Sequence, residues 1–497
     1  MAKTKQPAVK SYFFSKGYVD LKNTIVSAWK SNARSISRYK DNLSGLSGET
    51  WLKKLFFGTI NILAMLSVII CGSVITTVIS AIHIAILLLF MLLVYIGFTV
   101  IWCIDRIYLH KNKIFTACHV CKEKSLIPTY LCSGCGVQHT RLTPGVYGIL
   151  HRTCECGTKL PTTFFNGRKN LSAICPYCGH PLMDRESRPI CIPIIGGRSV
   201  GKTAFITAFS KEFIEKVAPS KSFHIEFYNS EKEQIFKEIE SDYISGGTRM
   251  TKHASDTNST SSVSFSFFVQ HPSLKPERLV HVYDIAGEVF TNNDENEVQK
   301  QYEYCQGMIL MFDPFSVPEI ADKYESAMNA KDIAGIGRAD ITYIMDSFMD
   351  KLRQVTGLSE REMSRTPIAV VLGKTDTADL ENCIGDTAVR ELMRNQSVVY
   401  QDYYDTMDHI CRQFLKDNGL ENFVNQINNK FSDNRFFSCS AIGHTKDSGP
   451  YDPKGVLAPM EWLFQKADKD MAKIWNDDSF SKVPLSLIPA KNRRDGS

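Results

Sequence analysis

The sequence predicts an open, mostly parallel α/β domain over residues 188–476, preceded by a small cysteine-rich module and a pair of apolar helices. Three observations carry that prediction. Short apolar runs recur after residue 188, each ending in a glycine-bearing or polar loop, as strands buried on both faces do. Eight of the 15 cysteines form four close pairs between Cys118 and Cys178. Residues 55–104 hold no Asp, Glu, Lys or Arg.

At 497 residues the chain suits about three domains. A net charge of +5 is modest for that length and argues against a dedicated nucleic-acid binder. Scattered cysteines suit a reducing compartment, where close pairs are more often metal ligands than disulfides. Residues 1–54 are polar and basic and hold no apolar core ahead of a small-residue cleavage site, so no secretory leader is expected. Leu21, Ile25 and Trp29 recur at helical spacing beside Lys22, Lys30, Arg34 and Arg38. Such a helix either lies on an anionic membrane surface or is simply solvated.

The uncharged run is too long for one crossing, since a span needs about 20 residues. It predicts two transmembrane helices, roughly 55–77 and 82–104, with a break near Ser80–His83 after Thr76 and Thr77. Lys53 and Lys54 precede the run, and Arg106, His110, Lys111 and Lys113 follow it. Positive flanks stay cytoplasmic, so a hairpin through the lipid bilayer puts everything after residue 105 in the cytosol. A re-entrant hairpin gives the same sidedness.

Residues 115–185 carry Cys118-x-x-Cys121, Cys132-x-x-Cys135, Cys154-x-Cys156 and Cys175-x-x-Cys178. Four thiolates bind one zinc ion tetrahedrally, and a close pair on a tight turn supplies two of them at little entropic cost. Eight ligands predict two Zn2+ in a zinc-ribbon module. Sequential pairing (118/121 with 132/135) and nested pairing are both open, and His151 could replace a thiol of the Cys-x-Cys pair. Closed sites of this kind are structural.

The segment Ile192-Pro-Ile-Ile-Gly196-Gly197-Arg198-Ser199-Val200-Gly201-Lys202-Thr203-Ala204 reads as strand, G-x-x-x-x-G-K-T loop and helix start. Backbone amides in such a loop curl around phosphate oxygens at a helix N-terminus. Lys202 neutralises the β- and γ-phosphates there, and the Thr203 hydroxyl ligates Mg2+. A second strand, from Arg278, ends in Asp284-Ile-Ala-Gly287-Glu288. Asp284 is placed to hold Mg2+ through water, and the Gly287 amide to sense the γ-phosphate. Strands Met308–Phe312 and Ile368–Leu372 follow, the second leading into Gly373-Lys374-Thr375-Asp376. Arg435-Phe-Phe-Ser-Cys precedes Ser440-Ala441-Ile442. Each loop follows an apolar strand, where open α/β sheets bind ligands.

Taken together these motifs resemble the TRAFAC class of GTPases, of the Ras-like kind, over residues 188–476. The resemblance implies a P-loop NTPase with a three-layer αβα sandwich that binds GTP and Mg2+. By that match Asp376 reads the guanine N1 and N2 hydrogens, Lys374 packs along the base, and Ser440 and Ala441 contact the O6 edge, with Ile442 beside them. Gly373 stands where the family usually has Asn or Thr, which removes a contact that braces the loop. Glu288 stands where many relatives carry the Gln that orients the attacking water, which implies slow hydrolysis. Arg198, inside the loop, either reaches the γ-phosphate or points to solvent.

The zinc module ahead of this domain, the Asp-Ile-Ala-Gly-Glu motif and the late Val456-Leu-Ala-Pro-Met-Glu-Trp462-Leu segment look similar to the bacterial double-GTPase group. That likeness implies the inner membrane of a bacterium, a role in conflict or signalling systems, and a protein effector or operon partner; a homodimer is also compatible.

Between Ser245 and Ser262 a Gly-, Ser- and Thr-rich stretch runs into the alternation Val263, Phe265, Phe267, Val269. It reads as a mobile loop and a strand, and fits the first switch. Thr251 or Thr248 would complete the Mg2+ shell, with Thr257 and Thr260 close behind. Polar helices are expected near 230–243, 338–356 and 386–416, and a flexible tail over 477–497. Three functions compete: a regulatory GTPase, a motor- or chaperone-like ATPase, and a non-catalytic scaffold. The base-reading pair disfavours the second, and intact Lys202, Thr203, Asp284 and Gly287 disfavour the third.

Overall fold

The structure is a computed structural model that describes residues 6–118, 121, 123–182, 186–197, 199–228, 230–245, 264–284, 305–328, 364–397, 399–400, 402–443 and 451–476. The chain divides into two compact units, one of residues 1–111 and 127–185, the other of residues 112–126 and 186–497.

The first unit opens with α1 (Lys16–Gly45), which turns at residues 46–50 into α2 (Trp51–Ser67), a π-helical turn at Val68–Gly72, and α3 (Ser73–Lys111). From Trp51 to Lys111 this is one helix of 61 residues. The expected pair 55–77 and 82–104, with a break near Ser80–His83, is therefore replaced by a single continuous element. The reason is local: residues 73–96 contain no Pro or Gly to interrupt the ladder. Thr77 helps by returning its hydroxyl to the Ser73 carbonyl at 2.7 Å.

The polar N-terminal region is also more than a flank. Phe14 packs edge-on against Tyr95 at 5.0 Å, and Asn32 donates to the Gly72 carbonyl at 3.1 Å and to Thr76 Oγ1 at 2.7 Å. Contacts that climb one helix while descending the other make α1 antiparallel to the apolar helix.

Asp105, near the end of α3, is 1% exposed. It accepts from the Phe164 amide at 2.8 Å and pairs with the fully buried Arg168 at 3.0 Å. Arg168 also donates to the carbonyls of Leu142 and Thr162. A buried ion pair persists only with such further hydrogen bonds.

The strands after α3 are short. In the second unit β1 (Thr116–Ala117) pairs with β2 (Lys124–Ser125). In the first, β3 (Thr129–Leu131) and β4 (Gln138–His139) are followed by the hairpin β5 (His151–Thr153) and β6 (Lys159–Pro161). Strands β7 (Ala173–Ile174) and β8 (Pro181–Leu182) then complete a four-stranded sheet in the order β4-β3-β7-β8.

The second unit is built on β9 (Arg188–Ile195), β10 (His224–Phe227), β11 (Ser264–Gln270), β12 (Arg278–Asp284), β13 (Met308–Phe312), β14 (Ile368–Leu372) and β15 (Asn434–Ser438). Their order is β10-β11-β12-β9-β13-β14-β15. The strands from β12 to β15 run parallel, and β10 and β11 join antiparallel at one edge. The apolar runs are apolar because β13 and β14 are buried at every residue. Strand order reverses beside β9, so the crevice at the carboxyl ends of β9 and β13 is where such a sheet takes a ligand. The expected helix near 230–243 is present as Ser230–Ile244, whereas 386–416 is two helices, Asp386–Asn395 and Tyr403–Asp417, because the first ends at Gln396. The one expected near 338–356 lies outside the described residues.

At the opposite end of the sheet, fully buried Arg278 donates to Asp468 at 2.6 Å and to Asp470 at 2.9 Å, and Arg188 joins Asp468 at 3.2 Å. Burial alone would push the Asp468 carboxyl up, but the Arg278 hydrogen bond and charge hold it below the ordinary carboxylate range. A depressed carboxyl contributes stability above its unfolded pKa and loses it as the pH falls toward the folded value. Asp468→Asn removes the buried charge partner of Arg278, leaving the more exposed Asp470, and is expected to cost about 3 kcal/mol. Urea unfolding should show that loss at neutral pH and a shrinking difference from wild type in acid; equal midpoints at neutral pH would refute the role.

Candidate functional site: a nucleotide pocket and a thiol cluster

The loop after β9 closes on the N-terminus of α4 (Lys202–Glu212). A Cβ on Gly196 would stand 2.2 Å from the Met311 carbonyl, so only glycine lets the loop pass this close to β13. Gly201 caps α4 at φ 92°, and Ser199 also adopts a left-handed conformation, at φ 63°. Val200 and Ala204 are buried, anchoring the loop to the core. Lys202 is 7% exposed, and its ammonium donates to the carbonyls of Gly197 at 2.8 Å and Gly196 at 3.1 Å. Thr203 is equally buried at the first turn of α4. The loop thus brings an ammonium, a hydroxyl and the amides of a helix start into one short segment, the donor set a magnesium-bound polyphosphate requires.

Two loops face the same crevice from β14 and β15. Lys374 Nζ donates to Asp313 at 2.6 Å, and Asp376 accepts from Ser440 Oγ at 2.6 Å. Ser440 Oγ in turn accepts from the Gly443 amide at 2.8 Å. Thr375 is tied on both sides, its amide to the Cys439 carbonyl at 3.3 Å and its hydroxyl to Glu381 at 3.0 Å. Ser440 and Ala441 are buried and Ile442 half-buried. The structure therefore brings Lys374, Asp376 and Ser440–Ile442 together. Burial, with the Asp376 and Glu381 carboxylates, pushes the nearby Cys439 thiol up, so it stays protonated and unreactive.

Asp284 ends β12, in register with Ile194 of β9, which brings its backbone beside the start of the loop. Arg198, Thr248, Thr251, Thr257, Thr260, Gly287 and Glu288 lie outside the described residues. Sequence reasoning missed two supporting groups, Asp313 and Glu381. Asp313 carried a signal, a carboxylate directly after an apolar strand. Glu381 carried none.

In the first unit the thiols of Cys132, Cys135, Cys154 and Cys156 all lie within 4.8 Å of one another. Cys132 and Cys156 are 3.6 Å apart, as are Cys135 and Cys154. The edge of a zinc–thiolate tetrahedron is about 3.8 Å for bonds of about 2.3 Å, so the quartet fits zinc. Of the two pairings left open, the quartet of 132/135 with 154/156 fits the nested one and not the sequential one; residue spacing alone does not fix such a long-range choice. His151 is no member of the quartet, and stands 3.3 Å from Asn166 instead. Hydrogen bonding with Thr158 draws the Cys156 thiol down to about 6, whereas burial pushes Cys154 up to about 12. Cys118 and Cys121 sit at the β1–β2 turn in the second unit, and Cys175 and Cys178 at the β7–β8 turn in the first.

Sheet order, phosphate loop and base-side loops define a GTPase-like P-loop protein. Residues 190–406 match the family model described as Double-GTPase 2, and this segment holds the phosphate loop and the Lys374–Asp376 loop. Among solved structures it is similar to the Ski7 GTPase-like domain of S. cerevisiae, bound to GDP and inorganic phosphate. That likeness has 12% identity and a TM-score of 0.28, and covers 57% of this chain and half of that one, too distant to bear on function. No curated protein matches.

Proposed function

We propose that this chain is a membrane-anchored GTP-binding switch that hydrolyses GTP slowly. The observation that carries the reading is the meeting of the Gly196–Thr203 loop with Lys374–Asp376 and Ser440–Ile442 at the carboxyl ends of β9, β14 and β15. A polyphosphate grip beside a braced carboxylate is what recognition of a guanine nucleotide needs, and an ATPase has no use for that carboxylate. Thr203, Asp284 and a first-switch threonine, Thr251, would hold Mg2+; Gly287 would sense the γ-phosphate, and Glu288 would orient water. Arg198 would add charge at the phosphates. Hydrolysis is expected to be slow because a carboxylate in place of an amide sets a further negative charge beside the charged γ-phosphoryl oxygens.

The anchor is the apolar helix, whose most apolar stretch is only 6% buried within the chain. An apolar surface of that size requires a covering medium, and a lipid bilayer with cytoplasmic metal and nucleotide units fits the basic flanks. The quartet of thiols supports one structural zinc. A conflict or signalling role, with an effector or operon partner, is the biological setting that the family likeness favours.

A purine nucleotide panel on the purified protein tests the pocket. Asp376→Asn is expected to weaken GTP roughly 100-fold, the loss of two charge-assisted hydrogen bonds, and to turn preference toward xanthosine triphosphate. A variant that still prefers GTP would show that another residue reads the base.

A further inference from the structure

We propose that Asp313 is a positioning residue of the base-side loop, acting through Lys374 in place of the side chain absent at Gly373. This rests on the nucleotide-pocket reading above. Asp313 follows β13 directly and is fully buried. One carboxylate oxygen accepts from the Phe315 amide at 3.0 Å, which fixes the rotamer at the start of the turn Pro314–Ser316. The other accepts from Lys374 Nζ at 2.6 Å. A buried carboxylate is tolerated only when paired and hydrogen-bonded, and this one is both. Its orientation is set by the strand end, so it aims the lysine and not the reverse.

Lys374 needs aiming. Its backbone is left-handed, at φ 58°, a conformation that persists in a side-chain-bearing residue only where the surroundings impose it. A side chain at residue 373 would be crowded, since a Cβ there would stand 3.2 Å from the Val200 carbonyl and 2.9 Å from the Met311 methyl, and both neighbours would have to give. Glycine lets the base-side loop pass close to the Val200 carbonyl of the phosphate loop, while the Gly373 amide donates to the Phe312 carbonyl at the end of β13 at 2.9 Å. With the ammonium held at Asp313, the lysine's methylene stem is left to face a purine ring. Asp313 therefore governs the grip on the base and leaves the grip on the phosphates alone.

The full-length protein, loaded with a fluorescent GTP analogue, is titrated with GTP and separately with inorganic tripolyphosphate, which has no base. Asp313→Asn keeps an oxygen for the Phe315 amide and removes the charge. It should weaken GTP about tenfold and leave tripolyphosphate unchanged. Lys374→Met should do the same, and the double variant should be no worse than either single one. GTP affinity unchanged in Asp313→Asn, or single effects that multiply in the double, overturns the inference. Should Asp313→Asn fail to fold, Lys374→Met decides alone: equal weakening of GTP and tripolyphosphate overturns it. Wild-type protein that ignores GTP strikes the pocket reading instead.

Discussion

Lys202→Ala abolishes triphosphate binding, with an expected loss of about 1,000-fold in affinity. The ammonium is the only charge the described part of the phosphate loop carries, and charge-assisted hydrogen bonds to phosphate are about twice as strong as neutral ones. In the structure the same ammonium spans the carbonyls of Gly196 and Gly197, so it also holds the loop in its curled form. Alanine removes both contributions at once, which is why the effect exceeds that of a single hydrogen bond. A fluorescent GTP titration measures it, with circular dichroism as the check that α4 still forms. Wild-type affinity in a folded variant would remove Lys202 from the site.

Cys154→Ser lowers bound zinc by one ion per chain and loosens the cysteine module. A structural zinc site contributes roughly 10–16 kcal/mol to folding in small domains, and Cys154 is both a member of the quartet and 2% exposed, with its amide donating to the Thr158 carbonyl. Loss of one thiolate opens the tetrahedron, and the residual three do not close it. Metal content by mass spectrometry gives the count, and limited proteolysis within residues 127–185 gives the loosening. Cys383→Ser, an exposed thiol outside the quartet, should change neither. Unchanged zinc in Cys154→Ser would mean that the quartet binds none.

What the sequence made legible follows from the range of the interactions involved. Strands such as Met308–Phe312 and Ile368–Leu372 are visible because burial on both faces leaves no polar position, a property of the segment itself. The phosphate loop is visible because its glycines and lysine are contiguous. The choice of cysteine partners was not visible, since Cys132 meets Cys156 across 24 residues and spacing fixes only each pair's own turn. Nor was the pairing of the charged helix α1 with the apolar helix, where Asn32 reaches Gly72. The expected break at Ser80–His83 failed for the opposite reason: polarity was taken as a turn signal, yet Ser and His sit comfortably in a helix once no Pro or Gly intervenes. Asp313 read as a strand end, and its contact with Lys374 exists only after the sheet has brought β13 and β14 side by side.

The buried pairing of Asp105 with Arg168 bears on how force travels in the first unit. A helix joined to its neighbour by a floppy tether can swivel without consequence. Here the terminal turn of α3 is bolted into the fold that carries the thiol quartet, with Phe164 and Thr162 gripping the same two side chains. A twist or tilt of the apolar helix would therefore pass through this buried pair into the fold around the thiol quartet.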